Sequence, residues 1–225
     1  MTEPRIVTRA EWEAAQAELL RREKAHMRAS DALAAERRRM PMTEVSGDHV
    51  LRGPDGDVRF RDVFEGRRQL ALYSFMYPAG GEPCGGCSMF ADQVGHLAHL
   101  HARDTTFAMV SKASPEEIEA HRHRMGWAHP WYALGDGQGL YDELGVGDGF
   151  AFNVFLRDGD RVLRSYRASN RGVEAIGSVW SFLDRTPMGR QETWEDAPDW
   201  VPQGPPYVWW DYHDAYDRTE TGAAA

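Results

Sequence analysis

The chain holds two cysteines, and both stand in one short segment, Glu82-Pro83-Cys84-Gly85-Gly86-Cys87-Ser88. Two intervening residues let two sulfurs come within bonding distance, so the pair can cycle between dithiol and disulfide. Only a thiolate attacks a disulfide, and unpaired N–H groups at a helix start favour that anion. A buried-strand pattern precedes the pair and a helical pattern follows it, the setting of a thioredoxin-like redox motif. Cys84 is therefore the expected attacking thiolate, and Cys87, in the first helical turn and less exposed, the resolving thiol. The Glu82 carboxylate opposes ionisation, so a modest depression of the Cys84 pKa is expected. Gly85 and Gly86 predict a flexible active loop.

The elements that position the pair can be read on either side of it. "LALYSFM" (70–76) is near-continuously apolar, as in a central strand covered on both faces. A helix is expected from Cys87 to about His101, then a buried strand, "TTFAMVS" (105–111). Ser114 and Glu117 form a capping box that opens a helix running to about Met125. "GFAFNVFLR" (149–157) and "RVLRSYR" (161–167) flank Asp158-Gly159, a hairpin turn, and "VEAIGSVWSFLD" (173–184) reads as a last amphipathic helix. This β–α–β–α–β–β–α order predicts parallel strands from two crossovers and an antiparallel edge. Upstream, "HVLRGPDGDVRF" (49–60) reads as a hairpin around Gly53-Pro54-Asp55-Gly56, and "RDVFEGRRQ" as a turn or short helix. Three regions follow: an N-terminal helical arm (1–42), the α/β domain (43–184) and a C-terminal extension (185–225). Thr8 and Glu11 cap the arm, where Trp12, Ala15, Leu19 and Leu20 recur at helical spacing, Ser30-Asp31 offers a second cap, and Pro41 closes the region. The extension is rich in proline and aromatic residues, which predicts that it wraps over its own core or a partner chain, with a role in lining a ligand site as the alternative. The final "RTETGAAA" is expected to be disordered.

Histidine is the other chemistry-bearing residue. His96, His99 and His101 are expected on the helix beyond the cysteines, far from the sulfurs, and His121 and His123 point in different directions on the next. His129 lies in a loop that can turn toward the carboxyl ends of the strands, where ligands gather in open α/β sheets. Two thiolates and an imidazole also suit zinc or copper, so a metal site of Cys84, Cys87 and His129 is the alternative to a cofactor-free dithiol. Trp127, Trp131, Tyr132, Tyr73, Phe75, Met89 and Phe90 are expected to pack.

Composition sets the broad class. The chain has 225 residues, 42% of them hydrophobic and 27% charged, with a formal net charge of −9, as for a soluble globular protein. No apolar run approaches the ~20 residues of a membrane span. The start lacks a secretory pattern, so the cytoplasm is expected. The basic residues of the arm, with Arg37-Arg38-Arg39, read as a solvated helix face, without the aromatic or base-reading elements of a nucleic-acid surface.

Many short segments in order carry a family resemblance: "EWEAAQAELLRREKAHMRASDALAAERRRMP", "GPDGDVRFRDVFEGRRQLALYSFM", "CGGCSMFADQ", "RMGWAHPW", "VFLRDGDRVLRSY" and "TPMGR". From about residue 10 to the "HDAY" at 213–216 the sequence resembles the DUF899 family, bacterial proteins predicted to be thioredoxin-like dithiol–disulfide oxidoreductases. The resemblance implies a thioredoxin-like three-layer sandwich of the peroxiredoxin-like branch. It also implies a thiol or disulfide substrate, an external electron donor and no bound cofactor. Gly85, Gly86, Gly149, Phe150 and His129 are then the expected substrate contacts, and a homodimer through the arm or the extension is a possible assembly. The Gly85-Gly86 pair departs from the family. Where thioredoxins place a cis-proline before the strand facing the cysteines, this chain has Gly147-Asp148-Gly149, which leaves room for the metal alternative. Peroxiredoxins carry Thr or Ser three residues before the reactive cysteine and proline four before that. Here Gly81 and Tyr77 occupy those positions, so a peroxide pocket is not expected.

Overall fold

The computed structural model describes residues 4–135 and 138–216. The apolar run becomes strand β4 (Gln69–Ser74), with every residue after Gln69 buried. Such a strand needs a neighbour on each edge and a layer on each face. It pairs in parallel with β5 (Thr105–Ser111) and antiparallel with β7 (Ala151–Asp158). β7 continues through the Asp158-Gly159 turn into β8 (Arg161–Ala168). The sheet is completed by β1 (Thr43–Val45), the hairpin β2 (Val50–Gly53) and β3 (Gly56–Arg59), and β6 (Trp131–Leu134). Its order is β1-β8-β7-β4-β5-β6-β2-β3.

Alternation along the strands sorts side chains into two cores. On one face Tyr73, Phe75, Phe107 and Met109 pack beneath α2 (Gly85–Asp92), α4 (Pro115–Arg124), α6 (Arg171–Glu174) and α7 (Ser178–Leu183). On the other, Leu70, Leu72, Val110 and Phe155 pack against the 3-10 turn Phe60–Asp62 and α5 (Gly139–Leu144). The result is three layers, helices on both faces of a mixed sheet.

Two expected helices are broken, each for a local reason. The helix after the cysteines stops at Asp92 and resumes only as α3 (Ala98–His101). Gln93 ends it: its amide donates to the Met89 carbonyl at 2.9 Å, and its oxygen accepts the Val179 N–H at 2.8 Å. Gly95 then disfavours continuation. The last helix is split at Gly177, where a Cβ would lie 2.1 Å from the Trp180 ring. The arm is instead one unbroken helix, α1 (Arg9–Arg39), so Ser30-Asp31 is not a cap; the Thr8–Glu11 capping box is formed, and no residue of α1 is buried. β1, β6 and α5 were not expected; all three are short. The expected disorder of 218–225 falls outside the described residues.

Candidate active site

Residues 75–84 lead from β4 to α2, and the Cys84 N–H donates to the Met76 carbonyl at 3.0 Å, so the first turn of α2 presents the cysteines at the carboxyl edge of the sheet. Cys84 is the N-cap residue, and its Sγ accepts the Cys87 N–H at 3.4 Å. Hydrogen bonding from the Cys87 thiol lowers the Cys84 pKa to about 6; burial opposes this, and the N–H groups of Cys87 and Gly86 add to it. The depression thus comes from donors in the loop itself, and Glu82 is exposed. Cys87 is buried, and burial pushes its pKa up, helped by the neighbouring Cys84. The Tyr73 hydroxyl donates to Cys87 Sγ at 3.3 Å, the one buried polar contact to that sulfur from the central strand. Neither cysteine is in a disulfide. With these shifts the pair at neutral pH is a partly buried thiolate beside a buried thiol.

Below the pair, Ser88 Oγ donates to the Cys84 carbonyl at 3.0 Å and lies 3.1 Å from His121 Nε2. Burial, then the nearby Arg124, lowers the His121 pKa to about 4, so this ring is neutral and braces the helix start. It sits among Phe75, Tyr77, Trp127, Trp131 and Tyr212.

The C-terminal extension folds back onto the cysteine loop. The Tyr212 hydroxyl donates to the Pro83 carbonyl. A Cβ on Gly85 would lie 3.2 Å from the Trp210 carbonyl oxygen, and one on Gly86 would lie 2.9 Å from the Trp210 ring. The two glycines are therefore the first helical residues beneath a packed strap, not a flexible loop. Arg124 holds Asp214 bidentately at 2.9 and 2.7 Å and lies 4.7 Å from the Tyr212 ring centroid. Upstream, the buried Glu192 carboxylate accepts from Trp194 Nε1, from Tyr207 N at 2.9 Å and from Trp209 Nε1 at 2.8 Å.

Between the strap and the loop lies a cavity of about 500 Å³ that reaches Cys84 and Cys87. Tyr73, Phe90, Phe150, Trp180 and Trp210 form its aromatic walls, and Asn170, Arg171 and Glu174 lie on its polar side. Of the residues expected at the site, Cys84, Gly85, Gly86, Cys87 and Phe150 line this one cavity. Gly149 adjoins Phe150 but is not part of the lining. His129 is not at the site: the loop turns it onto β5, edge-on to Phe107 at 5.7 Å, and it lines a separate cavity with Arg52 and Trp131. With His129 elsewhere, no three of His, Cys, Asp and Glu among the described residues converge to hold a metal ion, so the set Cys84, Cys87 and His129 is not assembled. Sequence reading missed the contact of Tyr73 with Cys87 and the place of Trp180 in the cavity wall; the ligand-lining alternative for the extension is the role Trp210 takes. The aromatic composition of the extension was the one available signal.

The parallel β4–α2–β5 unit, the β7–β8 hairpin on the other side of β4 and the helix start that follows β4 define a thioredoxin-like fold. The chain belongs to the DUF899 family, described as bacterial proteins of unknown function, which it matches over residues 1–216. No curated protein matches the sequence. Among solved structures it is similar to the bacterioferritin comigratory protein of Xanthomonas campestris, studied for alkyl peroxide reduction, at 17% identity and a TM-score of 0.41, covering 59% of this chain and 90% of that one. It is also similar to peroxidoxin BcpB of Mycobacterium tuberculosis, at 21% identity and a TM-score of 0.43, covering 60% and 89%. Thioredoxin of Wuchereria bancrofti gives 17% identity and a TM-score of 0.41, covering 64% and 100%. Among the described residues no helix is long and apolar enough to cross a membrane.

Proposed function

We propose that the protein is a dithiol–disulfide oxidoreductase. Cys84 thiolate attacks a substrate disulfide and releases one thiolate. Cys87 then gives up its proton, attacks the Cys84 sulfur and releases the second, leaving a Cys84–Cys87 disulfide. While Cys84 is anionic its charge helps keep Cys87 protonated. Once Cys84 is in a mixed disulfide that charge is gone, and Cys87 ionises more readily. The Tyr73 hydroxyl, already donating to Cys87 Sγ, favours the same step. Protons are thereby held on the resolving thiol until it is needed. An external dithiol or low-molecular-weight thiol in the cytoplasm restores the pair, and no bound cofactor takes part.

The observation that carries this reading is the Cys84 sulfur at the helix start, accepting the Cys87 N–H, with its pKa near 6. Its test is intact-mass analysis across a series of glutathione redox ratios. The reading predicts that the wild type loses two hydrogens reversibly, and that Cys84→Ser and Cys87→Ser proteins do not. A pair that stays reduced throughout would overturn it.

A further inference from the structure

The strap changes what can reach Cys84. A protein disulfide must lie across the outer surface of the cysteine loop to meet the attacking sulfur. Here that surface is occupied: Trp210 packs on Gly86, Asp211 on Gly85, and Tyr212 is bonded to the Pro83 carbonyl. The cavity remains. Its volume of about 500 Å³ lies in the range of roughly 300–1,000 Å³ typical of pockets that bury small organic molecules. Its walls are rings from the sheet, the helices and the strap. Trp180 is 2% exposed and forms the cavity wall together with Phe90, Phe150 and Trp210.

We propose that the substrate is a low-molecular-weight disulfide with apolar, ring-sized arms, and that the strap excludes protein disulfides. The inference rests on the dithiol reading above and narrows it. One arm lies among Phe90, Phe150 and Trp180. Cys84 displaces one arm as its thiolate. Cys87, losing its proton to solvent, then displaces the other from Cys84. Two electrons leave the protein dithiol, and two arm thiols are the products.

The test uses the reduced full-length protein with 4,4′-dithiodipyridine and with insulin as the protein disulfide. The proposal predicts saturation with the dipyridyl disulfide and a single-turnover rate about tenfold or more above that with insulin, each rate first divided by that of free dithiothreitol with the same disulfide. Phe150→Ala, which removes part of one wall, raises the half-saturating concentration about threefold to tenfold. Trp210→Ala, which uncovers Gly86, raises the insulin rate. Insulin reduced as fast as the small disulfide, or a dipyridyl reaction linear in concentration with no plateau, would overturn the substrate class. If the mass experiment still showed reversible oxidation, the dithiol reading would stand while this narrower one fell.

Discussion

The arm and the extension are both appended to the same α/β core, and they are held to opposite degrees. The arm is regular: α1 has a complete capping box and local ion pairs such as Arg9–Glu13 and Arg21–Glu18. Yet none of its residues is buried, and Trp12 remains 57% exposed. Its traceable link to the core is near its end, where Arg37 lies 5.5 Å from the Tyr166 ring centroid. Among the described residues, the extension beyond α7 has no helix or strand element, only an isolated bridge between Glu192 and Gly204. It is nonetheless braced internally by the buried Glu192 carboxylate with its three donors, and bound to the core by the buried Arg190–Glu174 pair and three contacts on the cysteine loop. Regular backbone satisfies its own hydrogen bonds and needs no core. Irregular backbone must find partners elsewhere; here it finds them within the extension, at Glu192 and Gln203 among others, while side chains such as Tyr212 and Trp210 reach the reactive site.

That contrast can be broken at its strongest point first. Arg190 is 7% exposed and pairs with the equally buried Glu174 at 2.5 Å and with Asp184 at 2.6 Å. Arg190→Ala strands Glu174 without its main cation, and chemical denaturation should show a loss of about 3 kcal/mol. A smaller loss is expected from Tyr212→Phe, which removes the hydroxyl donated to Pro83. About 1 kcal/mol should disappear, and the strap should become more open to proteolysis. Least of all, Thr8→Ala should reduce helicity at the start of the arm in circular dichroism and leave the melting temperature of the core unmoved. A core that melts with the arm would show the two appendages to be coupled alike.

The sequence made the central sheet legible because its signals are local. The unbroken apolar run of β4, the alternation of β7 and β8 with Asp158-Gly159 between them, and the two capping boxes each name their own structure. So does Cys84 at a helix start. What it could not supply depends on distant partners. Tyr73 reads as one more core ring, since nothing near it reveals that its hydroxyl meets Cys87 fourteen residues on. Gly85-Gly86 reads as slack until Trp210 is seen to fill the space above it. His129 is a plausible ligand by position in the chain, but the turn before β6 sends it to a different cavity. Gln93 breaks a helix only because its amide has a partner on α7.

The account depends on a thiolate at Cys84 and a protonated thiol at Cys87 in the same protein at the same pH. The direct measurement is the rate of iodoacetamide alkylation of the reduced protein from pH 4 to 10, with the modified residue identified by peptide mass. Ionisation of a thiol increases with pH, so the rate at Cys84 should rise through a midpoint at about 6 and stay flat above it, with Cys87 unmodified across that plateau. A midpoint near the ordinary thiol value of 9.0, or alkylation of Cys87 ahead of Cys84, would contradict it.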